Sequence, residues 1–368
     1  MTVAGRRVIM LSVAAIGPED AWAIGVAAPI GAGHSRLVIE HQTRRGWRRV
    51  SVPAKVLSPF YGRITLSATI TASSASNVWA FNQLTGAWLQ WNGHRWSEGR
   101  LRDSPGTTTA ITSALALAKD NVWAFGGKVD RKGNVSPLAA HFNGRMWVTT
   151  ALPGKLQLPV SAASSISPHD IWAVIGQGGQ IVAPPGPAGG EMVHWNGVKW
   201  QLIPLPKSLG RRGDPTSIDA LSDHNVWIGG GTTNAKLGLT ESAAHWNGVT
   251  WKVARLRVTP SAADCALSSI VGSRNESAEG LTVCFSDRQP FTLSRFWRFT
   301  SSHWVGPSTF HLAKKPPVIL NMASAGMSTR LWAVGYAGSD GIIVQSEQSG
   351  FSAPTAPTAT PAPRRRAG

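Results

Sequence analysis

The phrase HWNGVKW at residues 194–200 returns as HWNGVTW at 245–251 and HFNGRMW at 141–147, with EHQTRRGW at 40–47 as a looser copy. His41, His141, His194 and His245 therefore each stand at the same distance before a tryptophan. A recurring imidazole raises the question of a metal, because neutral histidine is a common ligand. A metal site, however, needs three or four ligands converging within a few ångströms. Equivalent positions in successive units of a closed repeat lie far apart around a ring. The four histidines are accordingly expected to serve structure, packing on tryptophan or bonding to a turn carbonyl. No metal and no cofactor is expected.

Cys265 and Cys284 flank the segment SRNESAEG (273–280). Folding a hairpin about that segment sets them opposite each other, at a separation that suits a disulfide. Two buried thiols are the equal alternative, and a bridge would point to an oxidising compartment. The chain contains no G-x-S-x-G elbow, P-loop, H-E-x-x-H or clustered Cys and His. No catalytic residue is nominated.

What must position these residues is a repeat. PEDAWAIG (18–25), ASNVWAF (75–81), KDNVWAFG (119–126), PHDIWAVIG (168–176), SDHNVWIGG (222–230) and STRLWAVG (328–335) are copies of one phrase, and SRNESAEGLTVCF (273–285) is a decayed copy. Seven units of about 50 residues result, starting near residues 8, 65, 109, 159, 215, 262 and 317. Each unit reads as four strands: a small, apolar strand a, a polar turn, the tryptophan-bearing strand b, a variable loop, then strands c and d. Asn-Gly between c and d predicts a type I′ hairpin turn, whose two central residues take positive φ. Trp88 and Trp297 alone fall outside the positions that tryptophan takes in the two repeated phrases.

This pattern predicts an all-β protein, a seven-bladed β-propeller of four-stranded antiparallel blades, over residues 1–352. Residues 1–7 are expected to help complete blade seven, whose own strand d is cut short by Pro354. Residues 353–368, APTAPTATPAPRRRAG, cannot bury apolar area and read as a disordered basic tail. The apolar run within residues 1–17 aligns with strand a of the repeat better than with a signal peptide. No run approaches the ~18 apolar residues of a membrane span.

The pairing of D/N-V-W-A-V-G with H-W-N-G-x-x-W resembles the β-propeller repeats of bacterial secreted and surface proteins and is loosely similar to Asp-box repeats. Gly197 and Trp200 match the Asp-box pattern, whereas Trp195 and Val193 replace its Asp and Ser. The resemblance implies an extracellular or cell-surface setting and a monomeric, non-catalytic module. It also keeps two alternatives open. A lectin-like propeller would expose tryptophan platforms, with Trp88 and Trp297 the ones to inspect. A sialidase-like glycoside hydrolase would need a Tyr–Glu pair, of which only Tyr61 and Tyr336 offer the tyrosine, and an acidic pair with arginine near the channel.

The net charge of +17 favours an anionic partner, a protein, glycan or surface polymer. Nucleic acid is not favoured, because the basic residues are dispersed and lack a nucleic-acid motif. Lys128, Arg131, Lys132, Lys207, Arg211, Arg212, Lys314 and Lys315 fall in b–c or d–a connections, whereas Glu19, Asp20, Asp120, Asp170 and Asp223 fall in a–b turns. Variable loops over a rigid scaffold are where binding residues concentrate. The b–c and d–a face is therefore the candidate binding surface.

Overall fold

The computed structural model describes residues 3–30, 34–57, 67–101, 106–177, 189–210, 213–233, 239–256, 264–273, 275–286, 289–300, 303–308, 317–324 and 330–347. Among them the strands form seven antiparallel sheets, six of four strands and one of three, each assembled from consecutive strands in chain order. The sheets span residues 6–49, 68–100, 108–150, 160–203, 213–255, 264–308 and 318–347. They are the blades of a seven-bladed β-propeller. In blade four, strand a is Val160–Ser167, b is Asp170–Ile175, c is Glu191–Trp195 and d is Trp200–Ile203. Strand a lines the axis and strand d lies outermost. No helix among the described residues is long and apolar enough to cross a membrane.

A propeller blade must bury both faces of its sheet against its neighbours, and tryptophan supplies the area. Trp22, Trp79, Trp227 and Trp332 on strands b are at most 2% exposed. Each strand b tryptophan packs into the following blade: Trp22 joins Ile70, Val78 and Leu89 of blade two, and Trp172 joins Ile218, Val226 and Ile228 of blade five. The strand d tryptophan of the following blade then meets it edge to face. The pairs Trp22–Trp96, Trp79–Trp147, Trp123–Trp200, Trp227–Trp304 and Trp332–Trp47 have centroids 5.4–6.5 Å apart and planes 83–88° apart. Burying each such side chain contributes about 1.5–3 kcal/mol.

The c–d turns differ from the sequence expectation. Trp195 pairs with Trp200, which leaves a four-residue loop, Asn196 to Lys199. Only Gly197 takes positive φ, at 88°. Asn196 stays out of that region because its side chain caps the turn, with Oδ1 accepting the N–H groups of Val198 (3.1 Å) and Lys199 (3.0 Å). The same Asx capping recurs at Asn92, Asn143 and Asn247. The glycine is also required sterically, since a Cβ at Gly144 would lie 2.8 Å from Cβ of Asp120 in the a–b turn beneath it.

The inner edge of each sheet is an unpaired strand whose N–H groups need partners. The sequence answers with one acceptor per blade. Ser12 Oγ accepts the N–H of Ile70 in the next blade (3.3 Å), Thr71 Oγ1 that of Ala116 (2.9 Å), and Ser113 Oγ that of Ala163 (3.2 Å). Ser164 Oγ accepts from Ala220 (3.0 Å), Asp219 Oδ2 from Gly272 (2.8 Å), and Ser269 Oγ from Met322 (3.4 Å). Asn321 Oδ1 accepts from Val13 (3.2 Å) and closes the circle. Strands a of six blades also carry a β-bulge, at Leu11, Thr112, Ser161, Thr216, Ser268 and Leu320. The hydroxyls of Thr112, Ser161 and Thr216 then bond the next blade at the carbonyls of Val160, Pro215 and Leu267.

The described part of residues 1–7, residues 3–7, does not complete blade seven as expected. Arg6 and Arg7 begin strand a of blade one, paired with Pro29 and Ala28, because the ten-residue strand b, Asp20–Pro29, extends the inner hairpin that far. Among the described residues no strand pairing crosses the seam between blades seven and one. Val8 N–H donates to Ser339 O (2.8 Å) there, beside the Asn321 bond and the Trp47–Trp332 contact. Replacing Asn321 with Ala orphans the buried Val13 N–H, and urea unfolding should show a loss of about 1–3 kcal/mol. An unchanged midpoint would mean that the seam does not depend on this bond.

Candidate functional site

The histidines stay within their own blades. Trp22–His41, Trp123–His141, Trp172–His194 and Trp227–His245 are directly opposed cross-strand pairs. Their rings stack with centroids 4.0–4.4 Å apart. Each Nε2 reaches the side-chain oxygen at the start of strand b: Asp20 (2.8 Å), Asn121 (3.0 Å), Asp170 (2.7 Å) and Asn225 (3.0 Å). Burial holds His141 and His245 below the usual imidazole range. The bonding partner is thus a turn side chain, where a turn carbonyl was the expected alternative. The arrangement locks strand c to the a–b turn and leaves no imidazole pointing at a shared ion.

Blade six departs from this scheme at the same register. Glu279 stands where the other blades place tryptophan, opposite Arg298, and the two form a 2.7 Å ion pair with Glu279 only 5% exposed. Burial raises the Glu279 carboxyl, while Arg298 pulls it down. The two tryptophans that could have formed sugar platforms are otherwise engaged. Trp297 is 4% exposed and donates Nε1–H to Thr282 (3.0 Å), and Trp88 is half-buried against Trp79.

The central channel encloses about 460 Å³ and is lined by strands a. Its polar groups include Ser12, Thr69, Thr71, Ser164, Asp219 and Asn321, several of them already engaged in inter-blade bonds. Asp219 is the sole carboxylate among the described residues lining it. Burial pushes its carboxyl up to about 6, against the N–H of Gly272 and the hydroxyl of Ser164, which favour the charged form. Tyr336 is half-buried near Arg7, and desolvation raises its hydroxyl. Tyr61 lies outside the described residues.

Of the expected binding residues, the four that are described occupy the face formed by b–c and d–a connections. Lys128 ends strand b of blade three, Asn121–Val129, and exposed Arg131 and Lys132 form its b–c turn. Lys207 is exposed between blades four and five. Arg211, Arg212, Lys314 and Lys315 lie outside the described residues. Exposed Arg7, Arg36, Arg100 and Arg255 stand at the same end of their strands, and exposed Lys55 and Lys155 lie in d–a connections. Acids at this end are turned to backbone work. Asp130 accepts the side-chain N–H of Asn134 (2.8 Å) and the backbone N–H groups of Asn134 (2.9 Å) and Lys132 (2.8 Å), which hold its carboxyl below the usual range, and Glu191 accepts the backbone N–H of Lys155 (3.1 Å). On the opposite face, Glu19, Asp20, Asp120 and Asp170 alternate with Arg44, Arg45, Arg95 and Arg145, and Arg44 lies 3.5 Å from Glu19.

Cys265 and Cys284 face each other on strands a and b of blade six, Asp264–Gly272 and Ala278–Ser286, and are joined by a disulfide with Cα atoms 4.1 Å apart. The sequence alone does not single out Asp219, Glu241, Glu279 or Arg295. The available signal is a charge inside an otherwise small or apolar strand, as in SIDALS, TESAAHW, AEGLTVC and LSRFWRF.

No protein-family model matches the chain, and no curated protein matches it. Solved structures do. The extracellular domain assigned to a hybrid two-component system of B. thetaiotaomicron aligns at 13% identity and a TM-score of 0.53, covering 94% of this chain and 39% of that one. The lectin SapL1, solved with alpha methyl fucoside, aligns at 13% identity and a TM-score of 0.45, covering 81% and 94%. The β-propeller domain of the Trilobed protease from Pyrococcus furiosus aligns at 8% identity and a TM-score of 0.49, covering 96% and 99%. At such identities the likeness concerns the fold.

Two outcomes follow. Gln90 and Gln345 stand opposite Trp79 and Trp332 where other blades have histidine. His194→Gln should therefore cost less than about 1 kcal/mol in urea unfolding, and His194→Ala should cost more, by losing both the stack and the Asp170 bond. Equal costs would mean that glutamine restores nothing that alanine lacks, neither the bond to Asp170 nor cover for Trp172. For Asp219 burial pushes the folded carboxyl from the ordinary 3.8 up to about 6, so the folded state holds the extra proton between those values. Stability contributed by Asp219 is complete below the unfolded value and is lost as pH rises through the folded one. Melting temperatures from pH 4 to 7 should show that decline in the wild type and a flatter profile in Asp219→Asn; parallel profiles would reject the assignment.

Proposed function

We propose that the chain is a non-catalytic interaction propeller whose b–c and d–a face engages an anionic partner, a protein or a surface polymer. The observation that carries this reading is the uncompensated basic character of that face. Lys128 lies near the end of strand b of blade three, and Arg131, Lys132, Lys155 and Lys207 are exposed on the connections, while Asp130 and Glu191 nearby are committed to backbone N–H groups. A surface of one sign accelerates encounter with a partner of the other. Arg131 is itself positioned. Its side chain crosses Gly106, where a Cβ would come within 2.0 Å of Nε. The opposite face, with charges of both signs alternating, offers no comparable field.

A glycoside hydrolase would need paired acids beside an arginine, whereas the described channel lining offers Asp219 among hydroxyls and small apolar groups. A lectin built on Trp88 or Trp297 would need those rings accessible, and both are packed.

Binding to soluble polyglutamate and heparin at graded salt concentrations tests the reading. Affinity should fall as salt rises, and the triple variant K128E/R131E/K132E should bind at least about tenfold more weakly, or about 1.4 kcal/mol. Wild type that binds neither polymer at low salt, or a triple variant with unchanged affinity, would remove it.

A further inference from the structure

Between blades five and six a buried carboxylate lies against the disulfide. Glu241, on strand c of blade five (Leu239–Trp246), is 2% exposed, and Cys265 and Cys284 are 6% and 2% exposed. A carboxylate oxygen of Glu241 and the two sulfurs all lie within 4.8 Å of one another. Neither Glu241 oxygen has a donor at full hydrogen-bond geometry, and burial pushes its carboxyl up to about 7, against the Arg295 guanidinium and the Thr282 hydroxyl, which favour the charged form. Arg295 Nη1, on strand c of blade six (Gln289–Thr300), is likewise buried without a partner. Burying a carboxylate this deeply without a bond is costly, and folded proteins rarely retain such a group without a compensating interaction.

We infer that Cys265, Cys284 and Glu241 form a redox-gated binding site for a borderline-soft divalent cation, Zn²⁺ by donor chemistry, that opens when the disulfide is reduced. A thiol reductant supplies two electrons and two protons, the S–S bond breaks, two thiols form and the reductant becomes its own disulfide. The arriving cation displaces both thiol protons and takes two thiolates and one carboxylate, a donor set suited to zinc, with a fourth position for water. The charges balance. Two thiolates and the Glu241 carboxylate carry three negative charges, and the cation with the Arg295 guanidinium supplies three positive ones. In the bridged state Glu241 and Arg295 balance each other in charge, but both Glu241 oxygens and Arg295 Nη1 are left without a hydrogen-bond partner. All three donors stand at the ends of their strands that meet the b–c and d–a face, which gives the cation a short way in. Metal binding then reports the redox state at the edge of the same face that carries the basic residues.

The test uses the full chain, reduced anaerobically with a non-chelating phosphine and titrated with Co²⁺ as a spectroscopic stand-in for Zn²⁺. The expected result is one Co²⁺ per chain with thiolate-to-cobalt charge-transfer absorption, competed away by Zn²⁺, and no such absorption in the oxidised protein. Glu241→Gln should weaken the site at least tenfold while keeping the charge-transfer band, and the double variant C265S/C284S should abolish the band. Circular dichroism follows the fold throughout. If reduction unfolds the chain, Zn²⁺ must restore its melting transition. Reduced protein that is folded and binds no stoichiometric Co²⁺, reduced protein that Zn²⁺ does not rescue, or a Glu241→Gln affinity equal to wild type each overturns the inference.

Discussion

Each blade hands one side-chain oxygen to one backbone N–H of the next, and the rest of the ring follows from that exchange. An inner strand that faces a channel is a sheet edge, and its N–H groups have no strand to pair with. Seven acceptors, Ser12, Thr71, Ser113, Ser164, Asp219, Ser269 and Asn321, answer seven N–H groups around the axis. The bonds fix the height of each blade against its neighbour. Only then do the strand b tryptophans meet the following blade at a constant level, which is why the edge-to-face tryptophan pairs share so narrow a range of angles. Hydrogen bonds set the register and aromatic burial supplies most of the driving force.

The two faces inherit different characters from the same strands. On the side of the a–b and c–d turns, the Trp–His stacks, the Asp or Asn at the start of strand b and the capped Asn-Gly turns are all engaged with one another. The polar groups there are consumed by architecture. On the other side the connections vary in length and composition, and basic side chains such as Lys132 and Lys207 stand exposed. The proposed binding face is thus the end of the blade that the repeat does not use.

Much of this was readable from residue types alone. Tryptophan spacing gave the number of blades, and the position of SRNESAEG between Cys265 and Cys284 set those residues opposite each other. The turn chemistry was only half legible, because Asn in an Asn-Gly pair can either adopt positive φ or cap the loop with its side chain, and the sequence is the same in both cases. The inter-blade acceptors were not legible. In VSAASSIS, Ser164 looks like one more small residue, and its role is set only by the neighbouring blade that brings the Ala220 N–H to it, an effect of tertiary packing. Glu241, Glu279 and Arg295 were missed for a related reason. A charge inside a strand reads as solvated until the neighbouring blade is seen to cover it.

The exchange around the axis is one-sided. Each blade supplies its own acceptor, while what it receives from is main chain, an N–H that a blade presents whatever its side chains. Ser, Thr, Asp and Asn all serve as acceptors here, and no neighbour had to change to match them. In evolutionary terms the blades are loosely coupled units. A duplicated or exchanged blade carries its half of the contact with it and finds the other half already in place, so a ring can diverge blade by blade, as blade six has done with Glu279 and Arg298, without losing its closure.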